Sequence, residues 1–334
     1  MEKKKVYQIN RELYKVTGIQ RVIMDIQNAI KESFDTRIVG TIPYNKIHKN
    51  LKIPKDSYLS INKIFKFRHS IVIIHERRLL PFLWILTHIP GFNIKGIYVH
   101  HNEMYDKQIF SLFPKNIIAI SDSGIKNLTE YFKVPRSNII KIHNCVEKIH
   151  FSKKHNKHYD PNNITLLLPA RVNNTKQQIE IVKRLRGNLD SRIKILFAGD
   201  GPNLEELRKI CEGDNQFISL GFRDDIPELI EKVDFIFLFS KHEGLPISLI
   251  EACASGVPII TNSVGGVPEI VENGINGYIA NDWNELTVLL NTLPSKKPEE
   301  IYRLGENGVI IYKERFTFDK FKKNYVELIQ RLAK

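Results

Sequence analysis

Short apolar runs alternate with amphipathic stretches along the second half of the chain. Most of the runs are continuously apolar and are bounded by Gly, Pro or Asp, as strands buried on both faces of a sheet are. Between them, apolar positions recur with the spacing of a helix that buries one face. The pattern predicts strands at 164–169, 193–198, 217–220, 234–239 and 257–261. It predicts helices at 176–185, 204–211, 226–231 and 246–254.

The first half of the chain repeats this alternation less regularly. Alternating strands and helices predict parallel sheets covered by helices, with ligands bound at the carboxyl ends of the strands. We therefore expect an α/β fold with doubly wound sheets. Strand patterns lie at 6–9, 37–39, 70–74, 96–99 and 116–120, helical patterns lie at 19–31, 78–88 and 123–132, and residues 40–68 fit neither.

The length and one polar stretch indicate two domains. A chain of 334 residues exceeds the usual size of a single domain. The segment 148–163 is rich in Lys, His and Asn, which is typical of a linker. Near the end of the chain, the apolar spacing of 318–333 predicts an amphipathic helix.

The positive charge is concentrated in the first half of the chain. Residues 1–160 carry 28 of the 50 Lys and Arg but 13 of the 37 Asp and Glu, a net charge of +15 within a total of +13. This excess favours an anionic partner for that half, such as an anionic bilayer surface, nucleic acid or an acidic substrate. A lysine-rich composition that serves ordinary solubility is the alternative, and both interpretations stay open.

Several features predict a cytoplasmic protein. The three cysteines, Cys145, Cys211 and Cys253, are scattered without metal-ligand spacing, which suits a reducing compartment. The start, MEKKKVYQIN, lacks the apolar core of a signal peptide, and no apolar stretch is long enough to span a bilayer. The helix predicted at 77–88 either lies against the inner face of the membrane or packs as a core helix on the sheet.

Two glutamates follow the predicted strand 234–239 in a setting rich in Gly and Pro. Glu243 and Glu251 are separated by seven residues, and the turn Gly244-Leu245-Pro246 follows the first glutamate. Because Pro commonly opens a helix, we expect Glu243 in the loop and Glu251 more than one turn inside the helix. Both can then face one pocket at the carboxyl edge of the sheet, where glycines permit close approach of the backbone to a ligand.

This arrangement resembles the E-x7-E signature of the retaining family 4 glycosyltransferases, which have the GT-B fold. The resemblance implies two Rossmann-like, doubly wound parallel-sheet domains that face a central cleft. The first, 1–155, would bind the acceptor, with a terminal helix at 317–334 packed back on it, and the second, 156–316, would bind a nucleotide-sugar donor. Further matches are Ala170-Arg171 with Lys176, Gly199-Asp200-Gly201-Pro202, Gly221-Phe222-Arg223 and Ile142-His143-Asn144-Cys145-Val146, the last of which departs from the family pattern at His143 and Cys145.

The resemblance implies roles for the charged residues. Arg171 and Lys176 would stabilise the diphosphate as it departs, Arg as a fork and Lys as a point charge. The alternative for this pair is an ordinary solvated surface position. Glu243 would orient the donor sugar, and Glu251 would accept hydrogen bonds from the ribose hydroxyls.

The resemblance also implies roles for backbone and imidazole groups. Gly18 would open a helix whose N-terminal amides meet the phosphates. His101, after the predicted strand 96–99, would lie near the reacting centre, with His100 turned into the fold; a structural histidine is the alternative. The remaining implied donor-binding residues are Gly199, Gly201, Phe222, Arg223, Gly244, Leu245, Pro246 and Ile247.

The implied activity is that of a retaining glycosyltransferase. It would move a hexose or N-acetylhexosamine from a nucleotide-sugar, with UDP as the expected nucleotide, to a glycan or lipid-linked glycan acceptor in bacterial capsule, lipopolysaccharide or other cell-surface polysaccharide synthesis. No cofactor and no metal are expected. The pair Asp224 and Asp225 is similar to the D-x-D metal motif of other glycosyltransferases, but the two residues are adjacent, and negative charge at a helix start explains them. A nucleotide-sugar 2-epimerase of the same fold is the alternative. The second alternative is a basic nucleic-acid-binding protein. Because no stretch resembles a base-reading module, we expect no nucleic-acid partner.

Overall fold

The chain forms two compact units. A computed structural model describes residues 3–106, 111–147 and 159–334. The first unit comprises Met1–Cys145 and Phe318–Lys334, and the second comprises Val146–Thr317. The predicted domain boundary at 155/156 and most of the predicted linker, 148–163, lie outside the described residues. The chain passes from the first unit to the second between Cys145 and Val146.

The first unit is built on a parallel sheet of seven strands in the order β3-β2-β1-β4-β5-β6-β7. The strand order reverses between β1 and β4, which is the point where doubly wound sheets open a crevice for a ligand. The central strand β4 is buried along its whole length, as its unbroken run of Ile and Val requires. The strands are β1 Lys5–Asn10, β2 Asp35–Gly40, β3 Tyr58–Ser60, β4 Ile71–Ile74, β5 Lys95–His100, β6 Asn116–Ala119 and β7 Ile139–Lys141.

Four α-helices cover this sheet in the described part of the first unit. The last of them packs on the first, with Lys322 Nζ 2.5 Å from Glu32 Oε2. The helix predicted at 123–132 is present as a continuous helical run, and its second half, Asn127–Tyr131, winds as a π-helical turn. The helices are α1 Gly18–Ile30, α2 Leu80–His88, α3 Asp122–Lys126 and α10 Phe318–Ala333.

Residues 40–68, which fit no pattern in the sequence, form short turns around β3. Pro43 and Pro54 are in extended conformation, and each directly precedes a three-residue 3-10 turn. Neither turn therefore continues as a longer helix toward the N-terminus. The 3-10 turns of this region are Tyr44–Lys46, Lys49–Leu51, Lys55–Ser57 and Ile64–Phe67.

The second unit is built on a parallel sheet of six strands in the order β10-β9-β8-β11-β12-β13. The order reverses between β8 and β11. The five predicted strands are confirmed, two of them to the residue, whereas β13 has only three residues and no distinct apolar run. The strands are β8 Ile164–Pro169, β9 Ile193–Ala198, β10 Phe217–Gly221, β11 Phe235–Leu238, β12 Ile259–Thr261 and β13 Gly277–Ile279.

The helices of the second unit lie between and after these strands. The predicted helices are confirmed within two residues at each end, and α8 and α9 extend the fold beyond the predicted elements. Among the helices of the described ranges, none combines the length and the apolar character that crossing a membrane requires. The helices are α4 Gln178–Leu185, α5 Leu204–Cys211, α6 Ile226–Ile230, α7 Ile247–Ser255, α8 Trp283–Thr292 and α9 Pro298–Arg315.

Candidate active site

Lys176 and Glu243 form an ion pair at the carboxyl edge of the second unit's sheet. Lys176 lies in the loop after β8 and Glu243 in the loop after β11, and these two strands are neighbours at the reversal of strand order. Lys176 Nζ donates to both carboxylate oxygens of Glu243, at 2.5 and 2.7 Å. The Glu243 side chain is 6% exposed and that of Lys176 20% exposed. The pair is therefore shielded from water at the place where this type of sheet binds ligands.

Hydrogen bonds within the two loops place the ion pair. The side-chain oxygen of Asn173 accepts from the backbone amides of Thr175 and Lys176, at 3.1 and 3.0 Å. The Lys241 amide donates to the Thr175 carbonyl at 2.8 Å, which ties the loop after β11 to the loop after β8. The position of Lys176 is thus set by backbone contacts as well as by its partner carboxylate.

The loop after β12 packs directly on the backbone of Glu243. Gly265 has a φ of +55°, and a Cβ built on it would lie 1.8 Å from the Glu243 carbonyl oxygen. Nearby, Asn262 donates to the Ser240 carbonyl at 2.8 Å and accepts from the Ser240 amide at 3.0 Å. Only glycine allows this approach, so the loop that carries Glu243 is held between its two neighbours.

The segment that follows Glu243 buries the second predicted carboxylate. The turn 244–246 is buried, and the Gly244 carbonyl accepts from the Gly266 amide at 2.7 Å. Pro246 is extended and caps α7, so the helix begins at Ile247, one residue later than predicted. Glu251 lies more than one turn inside α7, as predicted, and is 2% exposed.

Gly199 and Gly201 bring the loop after β9 against the loop that carries Arg171. A Cβ on Gly199 would lie 2.0 Å from the Ala170 carbonyl oxygen, and one on Gly201 would lie 2.1 Å from that of Val172. Both glycines are therefore required by the packing of adjacent loops. Arg171 itself is exposed.

Phe222 and Arg223 follow β10 at the edge of the sheet, two strands away from β8. Phe222 is 57% exposed. Arg223 forms two hydrogen bonds to the Asp225 carboxylate, the first of them Nε to Oδ1 at 2.7 Å. The guanidinium of Arg223 is thus paired with a neighbour in its own loop.

In the first unit, Gly18 opens the helix that comes after β1, and His101 follows β5, with β4 between these two strands. Gly18 is the first residue of α1, and the preceding Thr17 caps the helix together with Gln20, whose Oε1 accepts from the Thr17 amide at 3.1 Å. His101 directly follows β5. Its Nε2 lies 3.1 Å from Nδ1 of His75, which directly follows β4.

Three histidines of this region are buried and neutral. Burial lowers the pKa of His101 to about 3 and that of His100 to about 4. It also lowers the pKa of His75 well below its usual range, and the neighbouring His101 adds to the effect. His100 turns into the fold, with its Nε2 3.1 Å from Asn127 Oδ1.

Sequence reasoning missed His75 and its partner Gln8. His75 follows the predicted strand 70–74 directly, just as His101 lies close behind the strand 96–99. The rule that ligand groups lie at the carboxyl ends of parallel strands would have selected it. Its contact with a histidine 26 residues away could not be foreseen.

Within the described ranges, no group of three or more His, Cys, Asp or Glu residues is arranged to hold a metal ion.

Comparison with known families and proteins gives a consistent result. Residues 149–309 match the family model described as "Glycosyl transferases group 1". The chain is 27% identical over 222 residues to N-acetyl-alpha-D-glucosaminyl L-malate synthase of Bacillus anthracis, covering 63% of this chain and 58% of that protein. It is 25% identical over 157 residues to an alpha-1,3-galactosyltransferase of Escherichia coli that uses UDP-Gal, covering 43% of this chain and 40% of that protein. The chain thus spans about half the length of these curated relatives.

Solved structures share the fold over nearly the whole chain. The Anabaena protein HepE in complex with UDP superimposes with a TM-score of 0.83 at 17% identity, covering 98% of this chain and all of that one. Staphylococcus aureus TarM, solved with UDP in a mutant complex, gives a TM-score of 0.80 at 12% identity, covering 98% and 99%. These similarities, together with the two parallel sheets, confirm the predicted GT-B fold class.

Proposed function

We propose that this protein, whose residues 149–309 match the family model of the glycosyl transferases group 1, transfers a sugar from a nucleotide-sugar donor to an acceptor hydroxyl. The observation that carries this proposal is the shielded ion pair of Lys176 and Glu243 at the β8–β11 reversal. It puts a cation and a carboxylate together where a sugar diphosphate needs both.

Lys176 and Arg171 would stabilise the departing diphosphate. As the bond from the anomeric carbon to the phosphate oxygen breaks, negative charge grows on that oxygen, and a nearby cation stabilises the transition state more than the ground state. Lys176 has three N–H donors, so it can bind a phosphate oxygen while it keeps one bond to Glu243. Arg171, exposed in the same loop, would supply a second cation, and we propose that these two replace a metal ion.

Glu243 and Glu251 would position the rest of the donor. Glu243 would orient the sugar and favour the positive charge that develops at the anomeric carbon, and Glu251 would bind the ribose. We propose a retaining reaction in which the acceptor oxygen bonds to the anomeric carbon on the face that the phosphate leaves. The acceptor proton passes to the departing phosphate oxygen, so charge and atoms balance.

We propose UDP as the donor nucleotide and a hexose or N-acetylhexosamine as the sugar. The relative from Escherichia coli is named for UDP-Gal, the one from Bacillus anthracis for N-acetylglucosamine, and HepE and TarM were solved with UDP. We further propose a cell-surface glycan or lipid-linked glycan as the acceptor.

A lipid-linked acceptor would require the protein to meet a membrane, and the first unit has a suitable surface. Helix α2 buries Leu80, Leu83 and Leu86 but exposes Trp84 and Ile85. Phe65, which is 77% exposed, contacts Phe92 a few residues beyond the end of α2. We propose that this apolar surface, with the exposed cations Lys63, Lys66, Arg68 and Arg78, rests on the anionic inner face of the cell membrane.

The function is tested by screening the purified protein with UDP-glucose, UDP-galactose, UDP-N-acetylglucosamine and GDP-mannose. We expect one UDP-sugar to release UDP in the presence of a glycan acceptor and to give a product of retained anomeric configuration. Glu243→Gln and Lys176→Met should each lower kcat/KM by about 100-fold or more. Glu180→Gln, on the exposed pair Glu180–Arg184, is the matched control. If all three variants were as active as the wild type, the assignment of Lys176 and Glu243 to the active site would be overturned.

A further inference from the structure

A row of buried side chains leads to His101 beneath the carboxyl edge of the first unit's sheet. The buried polar row consists of Thr36, Gln27, Gln8 and His75, each less than 9% exposed. Gln27 Nε2 donates to Thr36 Oγ1 at 2.7 Å, and Gln8 Nε2 donates to Gln27 Oε1 at 3.2 Å. Gln8 Oε1 lies 3.2 Å from His75 Nε2, and His75 Nδ1 lies 3.1 Å from His101 Nε2.

The backbone of α1 determines which groups of the buried polar row donate hydrogen bonds and which accept them. Gln8 Nε2 lies 3.1 Å from the Ile23 carbonyl oxygen. A carbonyl only accepts hydrogen bonds, so the group facing it must be the NH₂ of the Gln8 amide. The other atom of that amide, Oε1, is then an acceptor, and His75 must donate to it from a protonated Nε2.

Because the His75 ring is neutral, its hydrogen bond to Gln8 also determines which ring nitrogen of His101 donates a hydrogen bond. Burial favours the uncharged form of both rings, and a neutral imidazole has a single N–H. His75 uses its N–H at Nε2, so its Nδ1 accepts a hydrogen bond. His101 must therefore donate from Nε2, which leaves His101 Nδ1 without a hydrogen.

We propose that Gln8 and His75 are positioning residues that hold His101 in the Nε2-protonated tautomer and so present its Nδ1 as a hydrogen-bond acceptor. This rests on the proposed function in taking His101 as a residue that touches the substrate. The described part of the chain gives Nδ1 of His101 no hydrogen-bond partner. An acceptor at this position suits a hydroxyl group of a sugar and does not suit a phosphate oxygen, which is itself only an acceptor.

The tautomers can be measured directly by long-range ¹H–¹⁵N correlation on protein labelled in histidine. His75 and His101 are assigned from the signals that disappear in His75→Gln and His101→Gln. In the wild type we expect both rings to be protonated at Nε2 and bare at Nδ1 near pH 7. Protonation of His101 at Nδ1 in the wild type would overturn the inference.

Gln8→Leu tests transmission along the buried polar row without altering either ring. His75 then loses its acceptor and can donate from Nδ1, so we expect the Nδ1-protonated form of His101 to appear. His100→Gln, at an equally buried histidine outside the row, should leave the His101 signals unchanged. Wild-type tautomers in a folded Gln8→Leu would show that the row does not determine the state of His101.

Activity provides a separate measurement. His75→Gln can still accept from His101 and donate to Gln8, so we expect kcat/KM within about threefold of the wild type, whereas His75→Phe should lose about tenfold, as for one ordinary hydrogen bond. If the tautomers are as expected but no nucleotide-sugar is turned over, the proposed function fails and the positioning stands. If transfer occurs and His75→Phe matches the wild type, the positioning role is contradicted and the proposed function stands.

Discussion

Lys176 Nζ lies within hydrogen-bond distance of both carboxylate oxygens of Glu243, although 67 residues separate them in the chain. The two residues come from loops that follow neighbouring strands. Little water reaches Glu243, so each charge depends on the other for its solvation.

This dependence predicts coupled effects on stability. Lys176→Ala and Glu243→Ala should each lower the free energy of unfolding by about 1–3 kcal/mol, since each leaves a partly buried charge unpaired. The double variant should lose at least about 1 kcal/mol less than the sum of the single variants, measured by urea unfolding. The exposed pair Glu180–Arg184 is the matched control, with an expected coupling of about 0.5 kcal/mol or less. Strict additivity at Lys176 and Glu243 would contradict the ion pair.

Gly265 is predicted to be intolerant of any side chain. Gly265→Ala must both adopt a left-handed backbone, which costs about 1–2 kcal/mol, and displace the Glu243 carbonyl. Gly187→Ala is the control, because Gly187 has a similar positive φ, +78°, with nothing within 4 Å of the added Cβ. We expect Gly265→Ala to lower the thermal midpoint clearly more than Gly187→Ala and to weaken UDP binding by calorimetry. Equal effects of the two substitutions would refute the close approach.

The three buried histidines predict loss of stability in mild acid. The folded-state pKa values of His75, His100 and His101 lie below the unfolded value of about 6.5. Below that pH the unfolded chain binds protons that the folded chain does not, so their stabilisation is complete above about pH 6.5 and declines as the pH falls. Each histidine should contribute about 1.4 kcal/mol per pH unit below pH 6.

The contribution of one histidine can be isolated by following urea unfolding from pH 7 to pH 5. Below pH 6, His100→Gln should reduce the slope of unfolding free energy against pH by about 1.4 kcal/mol per unit. His88→Gln, at an exposed position, is the control variant. A wild-type stability that does not vary over this range would rule out neutral buried imidazoles.

The proposed membrane surface predicts binding to anionic vesicles. Trp84→Ser combined with Ile85→Ser should weaken co-sedimentation with phosphatidylglycerol vesicles by about tenfold or more, given the apolar area that both side chains expose. Val288→Ser, at a 65% exposed position in the second unit, is the control and should bind like the wild type. Unchanged binding by the double variant would remove this surface from consideration.

Much of the second unit could be predicted from local pattern. The strands β8 and β9 and the helix α5 match the predicted residues. A mostly apolar run has few ways to be buried other than as a strand inside a sheet, and the spacing of the apolar residues of α5 gives that helix one buried face. The short strands β3, β7 and β13 were not predicted, because none of them lies in an apolar run long enough to show a period. Their pairing with β2, β6 and β12 makes them strands.

Some features of the candidate site could likewise be predicted from local pattern, and others could not. The amino-acid pattern shows which residues follow each strand, and therefore that Arg171, Lys176 and Glu243 belong to one edge of one sheet. The contact of Lys176 with Glu243, the packing of Gly265 on the Glu243 carbonyl and the contact of His75 with His101 became visible in the folded chain. This is because the order of strands along the chain is a local property, whereas a contact between side chains depends on which strands become neighbours and on how their loops pack.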